Sequence, residues 1–319
     1  MTTITYESVR VKFAHKLFYR YTETMKKLRV AIIGMGLQGQ RLAKAVAASK
    51  HATLVATASE REKGSFDAVL KDKTVDAVII ASPNDKHATH AIAAAKAGKH
   101  ILCEKPLALS AQEGRRILSA TKKNKVKCFV NYHLRAHPEV LRAKKLIVQK
   151  KLGHIAAIEM LWAIGNYGEK KLPPLPAHMR WRESVAAGGG TTATRGVHLF
   201  DLLRFITGHN VTVVGGSSDA TKSSVDQTAI ALLCADDVPT VITTSKLMPG
   251  ADNRVVIYGS KDTLALREVF VASPHDMYVS VIDHFAQAVR GKKTPLATIE
   301  DGIAVDALAE TFAKSVRSR

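Results

Sequence analysis

Leu28-Arg29-Val30-Ala31-Ile32-Ile33-Gly34-Met35-Gly36-Leu37-Gln38-Gly39 decides the fold. Its first half is a short apolar, β-branched run of the kind that forms a strand buried on both faces. Its second half is a Gly-x-Gly-x-x-Gly turn, and Arg41 to Ala47 behind it combines helix formers with apolar positions three and four apart. In a strand–turn–helix of this kind Gly34 permits the tight turn, Gly36 lets backbone approach a pyrophosphate, and Gly39 lets the helix pack closely on the strand. The helix N-terminus, with free N–H groups and partial positive charge, favours the anion, so Met35, Leu37 and Gln38 complete a dinucleotide cradle.

Moving outward, Thr53 to Ser59 is a second strand whose end should meet the adenosine ribose. An acid about 20 residues past the turn ordinarily binds the 2′-hydroxyl of NAD. Here Ser59 occupies that place, with Arg61 two residues on to pair a 2′-phosphate, which leans toward NADP. A one-residue shift would bring the Glu60 carboxylate there instead and select NAD. Residues 60–75 read as a short crossover. A third buried strand, Val75 to Ala81, then ends in Ser82-Pro83-Asn84-Asp85-Lys86-His87.

The alternation continues with a helix closing at Gly98, a strand ending in Glu104-Lys105-Pro106, a helix from Ser110 and a strand ending at Tyr132. The class is α/β: an N-terminal Rossmann-type doubly wound parallel sheet, with its ligand crevice beyond the strand ends Gly34, Ser59, Ser82, Glu104 and Tyr132. After the helix from Glu139, β-branched runs near 153–164, 211–217, 228–234, 240–246 and 254–259 are separated by turn residues. They predict a C-terminal α+β domain with a large open, mostly antiparallel sheet. The expected organisation is a loosely attached extension over 1–24, a dinucleotide-binding domain over 25–147 and a substrate and oligomerisation domain over 148–319.

Composition narrows the class. With 319 residues, 46% of them hydrophobic and 24% charged, the chain can bury two cores and is not a low-complexity or disordered sequence. Apolar runs fall well short of the roughly 20 residues of a membrane span. The extension lacks the apolar core and cleavage site of a secretory signal and carries Glu7 and Glu23, which fits a cytoplasmic protein. The three cysteines have no metal-ligand spacing, and Pro138 breaks the His133/His137 pair, so no metal is expected. The net charge of +19 suggests anionic partners, but the basic residues lie in scattered pairs such as Lys144–Lys145 rather than in a tract with aromatics, which argues against nucleic acid.

Taken with Ala81-Ser82-Pro83-Asn84 and His87, Ala97-Gly98-Lys99-His100, Cys103-Glu104-Lys105-Pro106, and Gly188-Gly189-Gly190 followed by Gly196, His198 and Asp201, the glycine turn makes the chain resemble the Gfo/Idh/MocA oxidoreductases from about Lys27 onward. The resemblance implies NAD(P)-dependent hydride transfer at a carbinol or carbonyl carbon of a sugar-like molecule. It places Lys105 at the reacting oxygen and His198 in proton transfer, with Ser82, Pro83, Asn84, His87, Glu104, Lys105 and Pro106 around the cofactor. It also implies that the loop 132–138 approaches the nicotinamide, which makes Arg135 a substrate candidate beside Trp181 and Arg182, and that the assembly is a homodimer or homotetramer. The chemistry is sound, because hydride leaves carbon while a proton leaves oxygen, which calls for groups of tunable pKa. Many members carry an aspartate four residues before the histidine, where this chain has Thr194, followed by Arg195. Threonine cannot stabilise an imidazolium, so polyol oxidation of the inositol type is less favoured and Thr194 and Arg195 become candidates for holding a different, anionic or carbonyl-bearing substrate. The alternative function is a non-catalytic dinucleotide sensor of the same fold, against which the retention of Lys105 and His198 argues.

Overall fold

A computed structural model describes residues 26–59, 62–164, 177–221, 224–249, 251–270 and 276–317. The expected extension over 1–24 and Arg61 lie outside these residues. At the centre runs β1 (Leu28–Ile33), with Val30, Ala31 and Ile32 wholly buried. It is apolar on both faces because helices cover both sides of a parallel sheet. The chain continues through α1 (Leu37–Ala48), β2 (Ala52–Ala58), α2 (Ser65–Lys71), β3 (Ala77–Ile80), α3 (His87–Lys96), β4 (His100–Cys103), α4 (Ala111–Lys123) and β5 (Cys128–Val130). These strands pair in parallel in the order β5-β4-β3-β1-β2. The crossover over 60–75 contains a short helix, α2, whose Val69 is buried against the sheet while Phe66 and Leu70 pack at its margin.

Local chemistry sets the element ends. Ser110 accepts the Glu113 N–H at 3.1 Å, and the Glu113 carboxylate accepts the Leu109 N–H at 3.1 Å, so α4 starts with its first donors satisfied. Helix α5 (Pro138–Val148) has proline in its first turn, where no intrahelical donor is lost.

The second sheet is built from β6 (Ile155–Ala163), β7 (Val211–Ser218), β8 (Thr228–Ala235), β9 (Val238–Ser245), β10 (Arg254–Gly259) and β11 (Thr263–Leu266), in the order β11-β10-β6-β9-β8-β7. Only β6 and β9 run parallel; the other pairs are antiparallel. Between β6 and β7 lie a 3₁₀ turn (Ala177–Glu183), a π turn (Thr192–Gly196) and α6 (Val197–Thr207). Helix α6 is buried along nearly its whole length because α5, β8 and the last helix enclose it.

The C-terminal stretch departs from a division of the chain at 147/148. Helix α7 (Met277–Val289) packs on α1, and β12 (Ala297–Thr298) adds an antiparallel sixth strand to the first sheet beside β5. The cause is apolar: Leu42 and Val46 of α1 need cover, and Ile282, Phe285 and Ala286 of α7 supply it. Helix α8 (Ile299–Arg317) then runs between the sheets, touching α4 and β5 on one side and β7 on the other.

Candidate active site

Beyond the ends of the first sheet's strands opens a cleft of about 710 Å³. Its floor is the glycine turn. Gly34 holds φ at +97°, and a side chain there would lie 2.6 Å from the Ala81 carbonyl carbon. A Cβ on Gly39 would fall on the Gly34 carbonyl oxygen, whereas a Cβ on Gly36 would stand in open space. So Gly34 and Gly39 serve the backbone's own packing, and Gly36 faces the cleft. No side chain caps α1 and no acid stands in its first turn, which leaves its leading N–H groups for a phosphate. These features fit a dinucleotide.

Met35, Leu37, Gln38, Ser59, Ser82 and Pro83 line the cleft, and Glu62 and Lys63 join Ser59 at one end of it. The Ser59 N–H and carbonyl both bond the Ser65 hydroxyl at 3.1 Å, which fixes this corner. Trp181 and Arg182 form the facing wall. Two expected cofactor contacts turn inward instead. Asn84, 4% exposed, donates to the Gly188 carbonyl at 3.1 Å. His87, 1% exposed, sits between the carbonyls of Pro106 at 2.7 Å and Ser82 at 3.0 Å. Both tie the loops that bear the site rather than touch its contents, and Pro106 contributes its carbonyl to that tie.

At the end of β4, Glu104 is buried and its carboxylate accepts from Gln38 at 2.8 Å and Asn131 at 2.6 Å. Burial raises this carboxyl, and the neighbouring Lys105 opposes the rise. The half-buried Lys105 donates from Nζ to the Thr194 carbonyl at 3.1 Å. Burial pushes its ammonium down to about 8, helped by Arg182 and Arg195 and resisted by Glu104. His198, 2% exposed, lies among the rings of His133, Trp162 and Tyr132 at 4.7, 5.5 and 5.9 Å between centroids. Burial first, then the field of Lys105, holds its imidazole well below the usual histidine range, so it is neutral at pH 7. Its Nδ1 is buried with no hydrogen-bond partner among the described residues.

Two substrate candidates need correction. Arg135 does not reach the cleft: its guanidinium is bidentate on Asp201 at 2.8 and 2.6 Å, bonds Asp301 at 3.1 Å and lies over the Phe205 ring at 4.8 Å. Desolvation makes such a cation tolerable only when paired, and the motif residue Asp201 is there to pair it. Thr194 spends its hydroxyl on the Gly190 carbonyl at 2.7 Å, just ahead of its own π turn, and offers Lys105 a backbone oxygen. Arg195 stays in place beside Lys105 and Arg182.

Other parts of the site carried no motif. Asn131 follows β5 and braces Glu104. Trp162 of β6 packs against His198. His133 stacks on Tyr278 of α7 at 4.9 Å, and Arg41 of α1 lies over the same Tyr278 ring at 5.3 Å. Asn131 could have been found from its place at a strand end; the others depend on tertiary approach.

Two family descriptions match: "Oxidoreductase family, NAD-binding Rossmann fold" over residues 28–132, and "GFO/IDH/MocA C-terminal domain" over 140–265. The chain is 26% identical to an inositol 2-dehydrogenase of Rhizobium meliloti over 92% of its own length and 98% of that protein. It is 27% identical to a scyllo-inositol 2-dehydrogenase (NAD(+)) of Bacillus subtilis, over 85% and 89%. Among solved structures, an oxidoreductase domain protein from Kribbella flavida shares the fold with a TM-score of 0.79 at 21% identity, covering 91% of this chain and 97% of that one. A 3-ketoreductase from Actinomadura kijaniata, in complex with TDP-benzene and NADP, shares it with a TM-score of 0.76 at 23% identity, over 92% and 98%. With both halves of the chain matched, a glycine cradle on the floor of the cleft, a lysine at the end of β4 and a buried histidine within that lysine's field, this protein belongs to the Gfo/Idh/MocA family of NAD(P)-dependent oxidoreductases acting on CH–OH or C=O groups.

Proposed function

We propose that the protein interconverts a carbinol and a carbonyl on a sugar-like small molecule, uses NADP in preference to NAD, and handles the proton with Lys105 and His198. The observation that carries this reading is the position of Lys105: an amine at the end of β4, whose Nζ is tethered among the described residues by the Thr194 carbonyl and which burial pushes down to about 8. Bound here, a nicotinamide supplies the place to which hydride goes or from which it comes. Gly36 and the first N–H groups of α1 would hold its pyrophosphate, with Ser59 and Lys63 beside the ribose.

In the oxidising direction neutral Lys105 Nζ takes the proton from the substrate hydroxyl; in the reducing direction the ammonium returns it to the carbonyl oxygen. The Thr194 carbonyl, and the Glu104 carboxylate that accepts the Lys105 N–H at 3.3 Å, fix where Nζ stands. His198 is neutral and has an unpaired Nδ1, which suits it to orient a neighbouring hydroxyl or pass a proton on, and the aromatic packing around it keeps water away. The named activities of the relatives favour a polyol, a sugar or its ketone.

The test is a titration of the purified protein with NADPH and NADH, read by nicotinamide fluorescence, followed by turnover of Lys105→Ala. NADPH should bind more tightly, and Lys105→Ala should lose turnover while binding cofactor almost as the parent does. Tighter NADH would move the ribose contact to Glu60. Surviving turnover would remove Lys105 from the mechanism, and binding of neither dinucleotide would remove the enzyme reading altogether.

A further inference from the structure

Four cationic side chains gather beside the reacting end of the cleft, from four separate elements: Lys105 after β4, Arg182 in the 3₁₀ turn, Arg195 in the π turn and Lys246 directly after β9. Backbone hydrogen bonds lock these segments together. The Gly189 and Gly190 N–H groups bond the carbonyls of Ser184 at 2.9 Å and Arg182 at 3.1 Å. The Thr191 N–H bonds Asp226, Lys105 bonds Thr194, and the Lys246 N–H bonds Gln227. The glycine triplet thus works as a staple that holds Arg182 against the π turn bearing Arg195.

Among the described residues none of the four makes an ion pair. Arg182 Nε and Arg195 Nη1 are buried without any hydrogen-bond partner, and Lys246 is half-buried. The acids that face the group are committed elsewhere or exposed. Glu104 accepts from Gln38 and Asn131, Asp226 accepts the Thr192 N–H at 2.8 Å and its hydroxyl at 2.7 Å, and Glu183 is exposed. The neighbouring His198 and His133 are held neutral by burial. Burial first, then repulsion from the neighbouring cations, depresses Arg195, to about 10, and Lys246 as well. Both arginines are half-buried, and although Arg182 lies over the Trp181 ring at 5.4 Å, each has a guanidinium nitrogen that is cut off from water with no hydrogen bond to replace it, which costs free energy until an acceptor arrives. Such a cluster stands ready for an anion.

The cofactor's phosphates do not account for it. Arg182 lies on the wall of the cofactor cleft, but Arg195 and Lys246 do not line it. An oxidised nicotinamide, being cationic itself, would add to the repulsion. Resting on the oxidoreductase reading above, we propose that the substrate carries an oxyanion, a carboxylate or a phosphate monoester, clamped by Arg195 and Lys246 with Arg182 closing the side toward the cofactor.

The experiment uses protein saturated with its preferred dinucleotide, so that the cofactor's own phosphate sites are filled, and titrates it with inorganic phosphate and, separately, acetate by calorimetry. At least one should bind the parent, and Arg195→Met and Lys246→Met should each weaken it about tenfold or more, as loss of a charge-assisted contact requires. The better of the two anions tells phosphate from carboxylate. Lys246 follows a strand end and is partly solvated, so its variant keeps the test valid if Arg195→Met fails to fold. Turnover is then compared for glucitol, gluconate and 6-phosphogluconate, with the charged compound expected to lead in kcat/KM by about 100-fold, two such contacts' worth. No anion binding, binding unchanged in both variants, or glucitol turned over as well as its acids would each overturn the clamp while leaving the oxidoreductase intact. Failure of the dinucleotide itself to bind would sink the underlying reading instead.

Discussion

At the scale of single residues, burial sets the chemistry of this site. Lys105 has the ordinary lysine's reach but an ammonium pushed down to about 8, so a substantial neutral fraction exists near physiological pH. As the base we propose for oxidation it must be neutral, so kcat/KM for the alcohol should rise about tenfold per pH unit below about 8 and level off above it; for reduction, which needs the ammonium, the same curve should fall above about 8. Profiles measured in both directions check the sign, and a pair of flat ones would exclude lysine from the proton step. Arg135 shows the opposite use of a cation. The sequence suggested a substrate contact from its place in the loop after β5, but its guanidinium is spent on Asp201 and Asp301. Removing it strands Asp201 as a buried, unpaired carboxylate, so Arg135→Met should cost about 3–5 kcal/mol. Urea denaturation would read that loss, and a parent-like midpoint would show that the pair does not matter.

At the scale of elements, the glycine turn divides its labour in a way that two substitutions can separate. Gly36→Ala places a methyl in open space, so the fold should keep its stability while dinucleotide affinity falls. Gly39→Ala drives a Cβ into the Gly34 carbonyl and should cost about 1–3 kcal/mol through displaced backbone, with affinity falling as well. Thermal melts without cofactor distinguish the two, and equal melting temperatures would undo the assignment. The same contrast explains what the sequence could reveal. Strands β1, β3 and β4 were legible because each is a short apolar run ending in glycine, Ser-Pro-Asn or Glu-Lys-Pro, and the second sheet because its strands alternate between turn residues. Helix α2 was read only as a crossover, since seven residues give a single turn-to-turn repeat. Strand β11 was missed because Thr263–Leu266 is too short for alternation to register. Asn84 and His87 were placed at the cofactor because they share a motif with Ser82 and Pro83. Spacing says that residues belong together; it does not say which ones face the ligand. Lys105, Arg182 and Arg195 are legible singly as site candidates, but Lys246 carries no motif, and only folding brings the four together.

At the scale of the whole molecule, the C-terminal stretch joins what a linear division would keep apart. Helix α7 covers α1, β12 extends the first sheet, and α8 lies against elements of both sheets. Along α8, Asp306 accepts the Ala108 N–H at 3.0 Å and Glu310 accepts that of Ala111, so the helix is tied to the segment just after Glu104-Lys105-Pro106. Near its far end Phe312, 2% exposed, meets Phe200 of α6, two residues beyond His198. Lys105, after a strand of the first sheet, and His198, on the helix α6 that precedes β7, therefore both lie on segments that lean on one helix. Loosening that helix should disturb both halves at once. Phe312→Ala, which empties a large buried volume, should cost about 3–5 kcal/mol. Because the damage lies between the sheets, loss of near-ultraviolet dichroism and loss of nicotinamide binding should share one shifted urea midpoint. If binding outlasted the tertiary signal in a separate transition, the first sheet would be stable on its own, and α8 would be packing on it without holding Lys105 and His198 in register.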